Sequence, residues 1–191
     1  STPIVIRSLT GVFPQSFRDL TLVAGTIGDY AALVVAADSD ISDMGELVAA
    51  YQEDATSFAI GGGSVPGGLD HLVAAMVMES AGEDPTGFNY IPYDAGGAAM
   101  AGLLSGEIQA LSTGFSEAVA LADQGEVRIL GVTAPGRIEG SDAPTMTEQG
   151  LDVDFVNWRG FFAAPGLDDA TVASMRASIA AMYETEEWEA V

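Results

Sequence analysis

Apolar positions along this chain switch between a spacing of two and a spacing of three to four, and most switches fall on a glycine- or serine-rich stretch. Branched and apolar runs at 21–24 and 32–36 read as short strands. Residues 43–51 read as a helix, with Met44, Leu47, Val48 and Tyr51 on one face and Asp43 and Glu46 at capping spacing. A strand at 57–60 is followed by a helix carrying Leu69, Leu72, Val73, Met76 and Val77 that ends near Gly82. Further helices carry Met100, Leu103 and Leu104, then span 116–123 up to Gly125, and a strand follows at 128–132. Thr145 and Glu148 stand at capping-box spacing for one helical turn. Residues 152–164 are extended and aromatic, and a last helix at about 168–183 turns Val172, Met175, Ile179 and Met182 inward. The fold class is α/β.

Three strands in this pattern run into an elbow that opens a helix. Phe58-Ala59-Ile60 leads into Gly61-Gly62-Gly63-Ser64-Val65-Pro66-Gly67-Gly68, Asn89 to Tyr93 into Asp94-Ala95-Gly96-Gly97, and Ile108 to Leu111 into Ser112-Thr113-Gly114-Phe115-Ser116. Such elbows gather at the carboxyl edge of a parallel sheet. Each presents bare backbone N–H groups and the positive end of a helix, a setting that holds carboxylate or phosphate oxygens. An anion-binding site follows from this pattern. Catalysis does not.

Charge then narrows the partners. The formal net charge is −22, the basic residues are six arginines, and there is no lysine. Nothing here can neutralise a run of phosphates, so a nucleic-acid partner is excluded. The acid reads as a hydrated surface suited to a saline setting, or as a docking face for a basic partner. Without cysteine there is no disulfide, thiolate nucleophile or cysteine-bearing zinc site, and without lysine no phosphate-loop lysine or Schiff base. One histidine, His71, rules out a multi-histidine metal site. No cofactor and no metal are expected. No apolar run is long enough to span a bilayer.

The first elbow is neither a nucleotide loop nor a nucleophile elbow. Pro66 stands where G-x-G-x-x-G, counted from Gly61, and G-x-S-x-G, centred on Ser64, both need glycine. Its five glycines favour close approach of a ligand to the backbone at Ser64, Gly67 and Gly68, against a plain flexible turn. Asp70 and His71 are sequence neighbours about a third of a helical turn apart, so Asp70 is badly placed to orient His71, which reads as a structural histidine. Ser116 caps its helix or meets an anion there, and the two roles are compatible. Arg159 is either a surface ion-pairing residue or a guanidinium steadied by aromatic neighbours that grips a carboxylate. Tyr93 and Asp94 are candidates to bond ligand hydroxyls, with Tyr93 as core the alternative.

Several of these segments occur together in one order. They are 61–72 (GGGSVPGGLDHL), 90–97 (YIPYDAGG), 103–108 (LLSGEI), 113–117 (TGFSE), 127–133 (VRILGVT), 144–150 (PTMTEQG) and 157–160 (NWRG). The combined pattern resembles the extracytoplasmic solute-binding proteins of the tripartite tricarboxylate transporters, across essentially the whole chain. The resemblance implies a periplasmic binding protein type II-like (Venus flytrap) fold that captures a small di- or tricarboxylate in the periplasm. Membrane permease subunits would be its partners. It also implies one complete lobe at 33–155, with 1–32 and 156–191 belonging to the other. The N-terminal part of that other lobe is expected to be absent, or supplied by a companion fragment. On this reading Thr2, Ser64, Gly67, Gly68, Tyr93, Asp94, Gly96, Thr113, Ser116, Asn157 and Arg159 bind ligand, and no residue is catalytic. The competing readings are a hydrolase-like enzyme using Ser64 or Ser116 with His71, and a sensor or adaptor domain on the same fold.

Overall fold

From Thr21 onward the chain forms one long strand, β1 (Thr21–Ala36), that runs through Gly25 and Gly28 without a break. Two short strands were expected there, because glycines usually interrupt a strand. The strand continues because both halves have partners: β6 (Val156–Ala163) pairs with β1, and the Thr26 hydroxyl donates to the Arg159 carbonyl at 3.2 Å. The computed structural model describes residues 2–12 and 16–189, without the side chains of residues 2, 3 and 189. It divides into two compact units, Asp29–Asn157 and a second made of Ser1–Gly28 with Trp158–Val191.

In the unit Asp29–Asn157 the elements are α2 (Met44–Glu53), β2 (Ala59–Gly62), α3 (Leu69–Ser80), β3 (Asn89–Pro92), α4 (Gly96–Leu104), β4 (Ala110–Gly114), α5 (Phe115–Asp123) and β5 (Val127–Val132). The sheet order is β3-β2-β4-β1-β5. Strands β3, β2 and β4 are parallel, whereas β1 is antiparallel to both β4 and β5. The sheet is therefore mixed. Its parallel part is the part that carries the three elbows.

Alternation along the strands sorts the core into two layers. Leu33, Val35, Ile60, Ala110 and Leu130 face one side with Met44, Leu47, Val73 and Val77 of α2 and α3. Ala32, Val34, Ala59, Leu111 and Val132 face the other side with Ala99, Met100, Leu103 and Ala118 of α4 and α5. Helices thus cover both faces. Asp43 caps α2, its carboxylate accepting the Glu46 N–H at 2.8 Å, while Glu46 reaches back to Ser42. The Thr145–Glu148 capping box forms in both directions, at 2.9 and 3.0 Å. Arg128 donates to the carbonyls of Ala37, Ser39 and Ile41 and so pins the loop before α2.

The second unit contains α1 (Thr2–Leu9), β6 from Trp158 onward, α6 (Asp169–Tyr183) and α7 (Glu186–Glu189). Asp168 caps α6 through the Thr171 N–H at 2.9 Å. Arg176 on α6 donates to the carbonyls of Leu22 and Val23, and the Tyr183 hydroxyl donates to the Thr26 carbonyl. The inward stripe expected on α6 is covered only in part, because Val172 is buried but Met175 and Met182 are exposed. An apolar groove of about 400 Å³ lies here, lined by Val23, Phe161, Phe162, Met175 and Ile179. Among the described residues no helix is long and apolar enough to cross a membrane.

Candidate ligand-binding site

The topology brings the three elbows to one sheet edge, and close backbone contacts join them. A Cβ at Gly63 in the first elbow would stand 2.5 Å from the Gly96 nitrogen in the second. A Cβ at Gly96 would stand 2.5 Å from a carboxylate oxygen of Glu117, one helical turn beyond Thr113 in the third. At Gly63 only glycine lets two backbones approach so closely, whereas the atom against Gly96 is the end of the Glu117 side chain. Gly67 serves differently: its φ of +80° makes the left-handed turn that aims the chain into α3, with Gly68 at the N-cap.

A cavity of about 510 Å³ opens at this edge, lined by Gly96, Gly97, Met100, Thr113, Glu117 and Leu121. Gly96 and Gly97 begin α4, where first-turn N–H groups have no acceptor within the helix. The Ala98 and Ala99 N–H groups already bond to the Ala95 carbonyl. Thr113, only 3% exposed, donates its hydroxyl to Glu117 Oε2 at 2.6 Å. The cavity thus joins helix-end donors, one acidic acceptor and the apolar walls of Met100 and Leu121.

The other two elbows have donors engaged within the protein, by a carboxylate at the third and by a serine hydroxyl at the first. At the third, the Asp29 carboxylate accepts the Ser116 hydroxyl at 2.7 Å and the Ser116 N–H at 3.3 Å. The Ser116 donors expected to meet a ligand are thereby engaged, and Ser116 does not cap its helix: Gly114 is the N-cap, and the Asp29 carboxylate, 87 residues away, accepts the helix-start N–H. At the first, Ser64 Oγ accepts the Asp70 N–H at 3.1 Å, while the Tyr90 hydroxyl donates to the Ser64 carbonyl at 2.8 Å. Asp70 is 8% exposed, and burial pushes its carboxyl up to about 6. The Ser64 hydroxyl and the Gly63 N–H bond to that carboxyl and oppose the rise, whereas the charge of Glu117 adds to it.

Other expected residues lie elsewhere. The Tyr93 ring packs against Gly61 and carries its hydroxyl to Gly102 on α4, outside the cavity lining, because the small residue leaves a slot there. Asp94 is exposed and also outside the lining. Asn157 ends the unit that holds the elbows. Arg159 belongs to the other unit and is exposed on β6, and the Thr2 side chain lies outside the described residues. His71 stacks on Phe88 at 5.3 Å and meets Tyr90 edge-on at 4.8 Å, with Nδ1 buried and unpaired. Burial lowers its pKa and keeps it neutral. No carboxylate orients that nitrogen, so the components of a serine–histidine–acid relay are not assembled. Among the described residues no group of three His, Cys, Asp or Glu could hold a metal ion.

Sequence reasoning missed Glu117 and Asp29. Glu117 had a usable signal, since it follows Thr113 by one helical turn in a segment already singled out. Asp29 had none, being joined to Ser116 only by strand pairing.

This architecture, a mixed sheet with helix-opening elbows at one edge, is that of the periplasmic solute-binding proteins. The model of the tripartite tricarboxylate transporter family receptor (TctC) matches residues 9–188, and the chain belongs to that family. No curated protein sequence matches the chain. Among solved structures, a TctC solute-binding protein from Polaromonas is similar at 28% identity with a TM-score of 0.82, over 98% of this chain and 64% of that one. MatC from Rhodopseudomonas palustris, solved with bound malate, shares 19% identity with a TM-score of 0.79, over 98% and 64%. An R. palustris protein solved with adipate shares 20% identity with a TM-score of 0.76, over 89% and 56%. The chain therefore spans less than two thirds of the length of these proteins.

Proposed function

We propose that this chain captures a small di- or tricarboxylate in the periplasm and presents it to membrane permease subunits of a tripartite tricarboxylate transporter, without chemistry. The observation that carries the reading is the cavity at the joined elbows, where the first-turn amides of α4 and Thr113 meet. Backbone donors at a helix start hold carboxylate oxygens without needing a cationic side chain. Family membership and the malate and adipate in two structural neighbours support the ligand class. Gly67 and Gly68 supply the backbone shape on this side, Gly96 a helix-start donor and Thr113 part of the wall, with Ser64 and Ser116 holding the elbows. Thr2, Tyr93, Asp94, Asn157 and Arg159 remain assigned to the ligand only on the family resemblance.

Residues 33–155 are one lobe of a Venus flytrap on this reading, a division supported by the compact unit Asp29–Asn157. The flanking segments 1–32 and 156–191 belong to the other lobe. The share of the relatives' length that this chain does not span would complete that lobe, as an attached segment or a companion fragment, and would pack on the groove at Phe161 and Met175. Phe161 is 55% exposed.

Calorimetry with citrate, tricarballylate and succinate, set against neutral sugars and cationic amino acids at low and moderate salt, tests the function. Heat from the carboxylates alone is expected. A response to a neutral or cationic compound, with none to any carboxylate, would overturn the reading.

A further inference from the structure

Asp70 is a carboxyl buried without a cation. It stands on the first turn of α3, 8% exposed, and receives the Ser64 hydroxyl and the Gly63 N–H. Glycine at 62 makes room for it: a Cβ there would stand 2.6 Å from the Asp70 Cβ and would also meet the Tyr90 hydroxyl. The groups that face Asp70 are neutral or acidic. Strand β3 contributes Tyr90 and α5 contributes Glu117, while its neighbour on α3, His71, is neutral and packed on Phe88 and Tyr90. Strands β2 and β4 carry no titratable side chain. Helix α2 turns Glu46 to Ser42, Tyr51 to Phe58 and Glu53 to solvent.

Two contacts tie Asp70 to the cavity. Glu117 lines the cavity, and its charge already works against a charge on Asp70. Gly63, which donates to the Asp70 carboxyl, lies against the Gly96 nitrogen on the cavity lining. An anion entering beside Glu117 adds negative charge next to the one that Asp70 already feels, and like charges favour the neutral form of a buried carboxyl. Glu117 is exposed and bonded to Thr113, so water and that hydroxyl hold its charge. Asp70 has little water, and burial pushes its carboxyl up to about 6, so the proton goes there.

We infer that Asp70 is a proton site linked to the cavity: the chain takes up a proton on Asp70 when an anion binds beside Glu117. The inference rests on the carboxylate reading of this cavity. Linkage is reciprocal, so a chain already protonated at Asp70 holds the anion more tightly. The sign follows from the free chain. Above its midpoint Asp70 is charged and opposes the anion; below it the repulsion is gone, and affinity rises as pH falls.

The test follows the carbon-13 resonance of the Asp70 carboxyl in the wild-type chain from about pH 8 to about pH 4.5, a range that brackets the ordinary and raised values. Titrations are run without ligand, with saturating succinate, tricarballylate or citrate, and with sodium chloride at matched ionic strength. The midpoint should rise with an acid that binds and stay in place in the salt control. Asp70→Asn keeps acceptors for Ser64 and Gly63 but carries no charge. It should bind that acid roughly tenfold more tightly than the wild type near pH 8, and within about twofold of it near pH 5. The acid's own titration cancels in this ratio. A midpoint unmoved or lowered by an acid that binds, or a ratio that stays constant with pH, would overturn the inference and leave the carboxylate reading standing. If calorimetry shows that no acid binds, the carboxylate reading falls and this inference with it. The carboxyl titration decides the matter even if the variant does not fold.

Discussion

The carboxylate of Asp29 sits at the start of α5 where a bound anion would sit, one oxygen 2.7 Å from the Ser116 hydroxyl and the other 3.3 Å from the Ser116 N–H. Asp29 lies on β1 and Ser116 on α5, so the contact fastens the helix start to a neighbouring strand. Helix N-terminal donors left without an acceptor cost stability. Asp29→Ala should lower the unfolding free energy by about 1 kcal/mol, within the roughly 0.5–2 kcal/mol range of cap removals. Urea unfolding in high salt would show it, and a variant as stable as the wild type would mean that water replaces the carboxylate at no cost.

The glycines of the elbows are not equivalent. Gly63→Ala places a methyl against the backbone of Gly96 and should destabilise by roughly 1–3 kcal/mol, the usual cost of overpacking. Gly97 lies inside α4 with open space at its Cβ position, so Gly97→Ala should stabilise by about 0.5–1 kcal/mol. Opposite shifts in urea midpoint are expected for the two variants. Equal shifts would mean that helix propensity, not backbone contact, governs both.

Asp70 gives stability a pH dependence of the unusual sign for a carboxyl. Its folded pKa, about 6, lies above the ordinary aspartate value of 3.8. The folded chain therefore binds this proton more tightly than the unfolded chain, and the Asp70 contribution favours folding increasingly as pH falls from about 6 towards 4. His71 acts in the opposite direction, because its lowered pKa makes the unfolded state the better proton binder at slightly acid pH. Asp70→Asn isolates the first effect: asparagine can still accept the Ser64 and Gly63 hydrogen bonds but has no charge to bury. The variant should gain stability over the wild type at pH 7, on the order of 2 kcal/mol. That gain should shrink towards zero near pH 4. A difference between the two that stays constant across this range would refute the account.

Salt should stabilise this chain strongly. A net charge of −22 repels itself, and the ion pair of Arg137 with Glu148 at 3.0 Å lies on the surface, where solvent screens it. Arg128 and Arg176 are bonded to backbone carbonyls rather than to acids. Raising salt from about 0.1 M to about 1 M shortens the screening length from roughly 10 Å to roughly 3 Å and removes most of the repulsion between separate acids. The thermal midpoint is expected to rise by several degrees in sodium chloride. A midpoint that stays level or falls would show that the surface acids are already spaced beyond mutual reach.

The local period of apolar residues was enough to define the helices from α2 to α6, the strand–elbow–helix order and the α/β class, because each depends on neighbours within one or two turns. The capping pairs Asp43–Glu46 and Thr145–Glu148 were legible for the same reason, although Glu46 turned its own carboxylate to Ser42. The segments shared with one transporter family supplied the functional class. Three things depended on the tertiary structure. Pairing on both halves made β1 continuous through its glycines and antiparallel to β4, which no local pattern dictates. The slot at Gly102 received the Tyr93 hydroxyl, and the aromatic pair Phe88 and Tyr90 took His71 into packing. Asp29 and Glu117 entered the site by strand order and helix approach. A carboxylate's role is set by which donors stand within about 3 Å of it, and sequence distance carries no information about that.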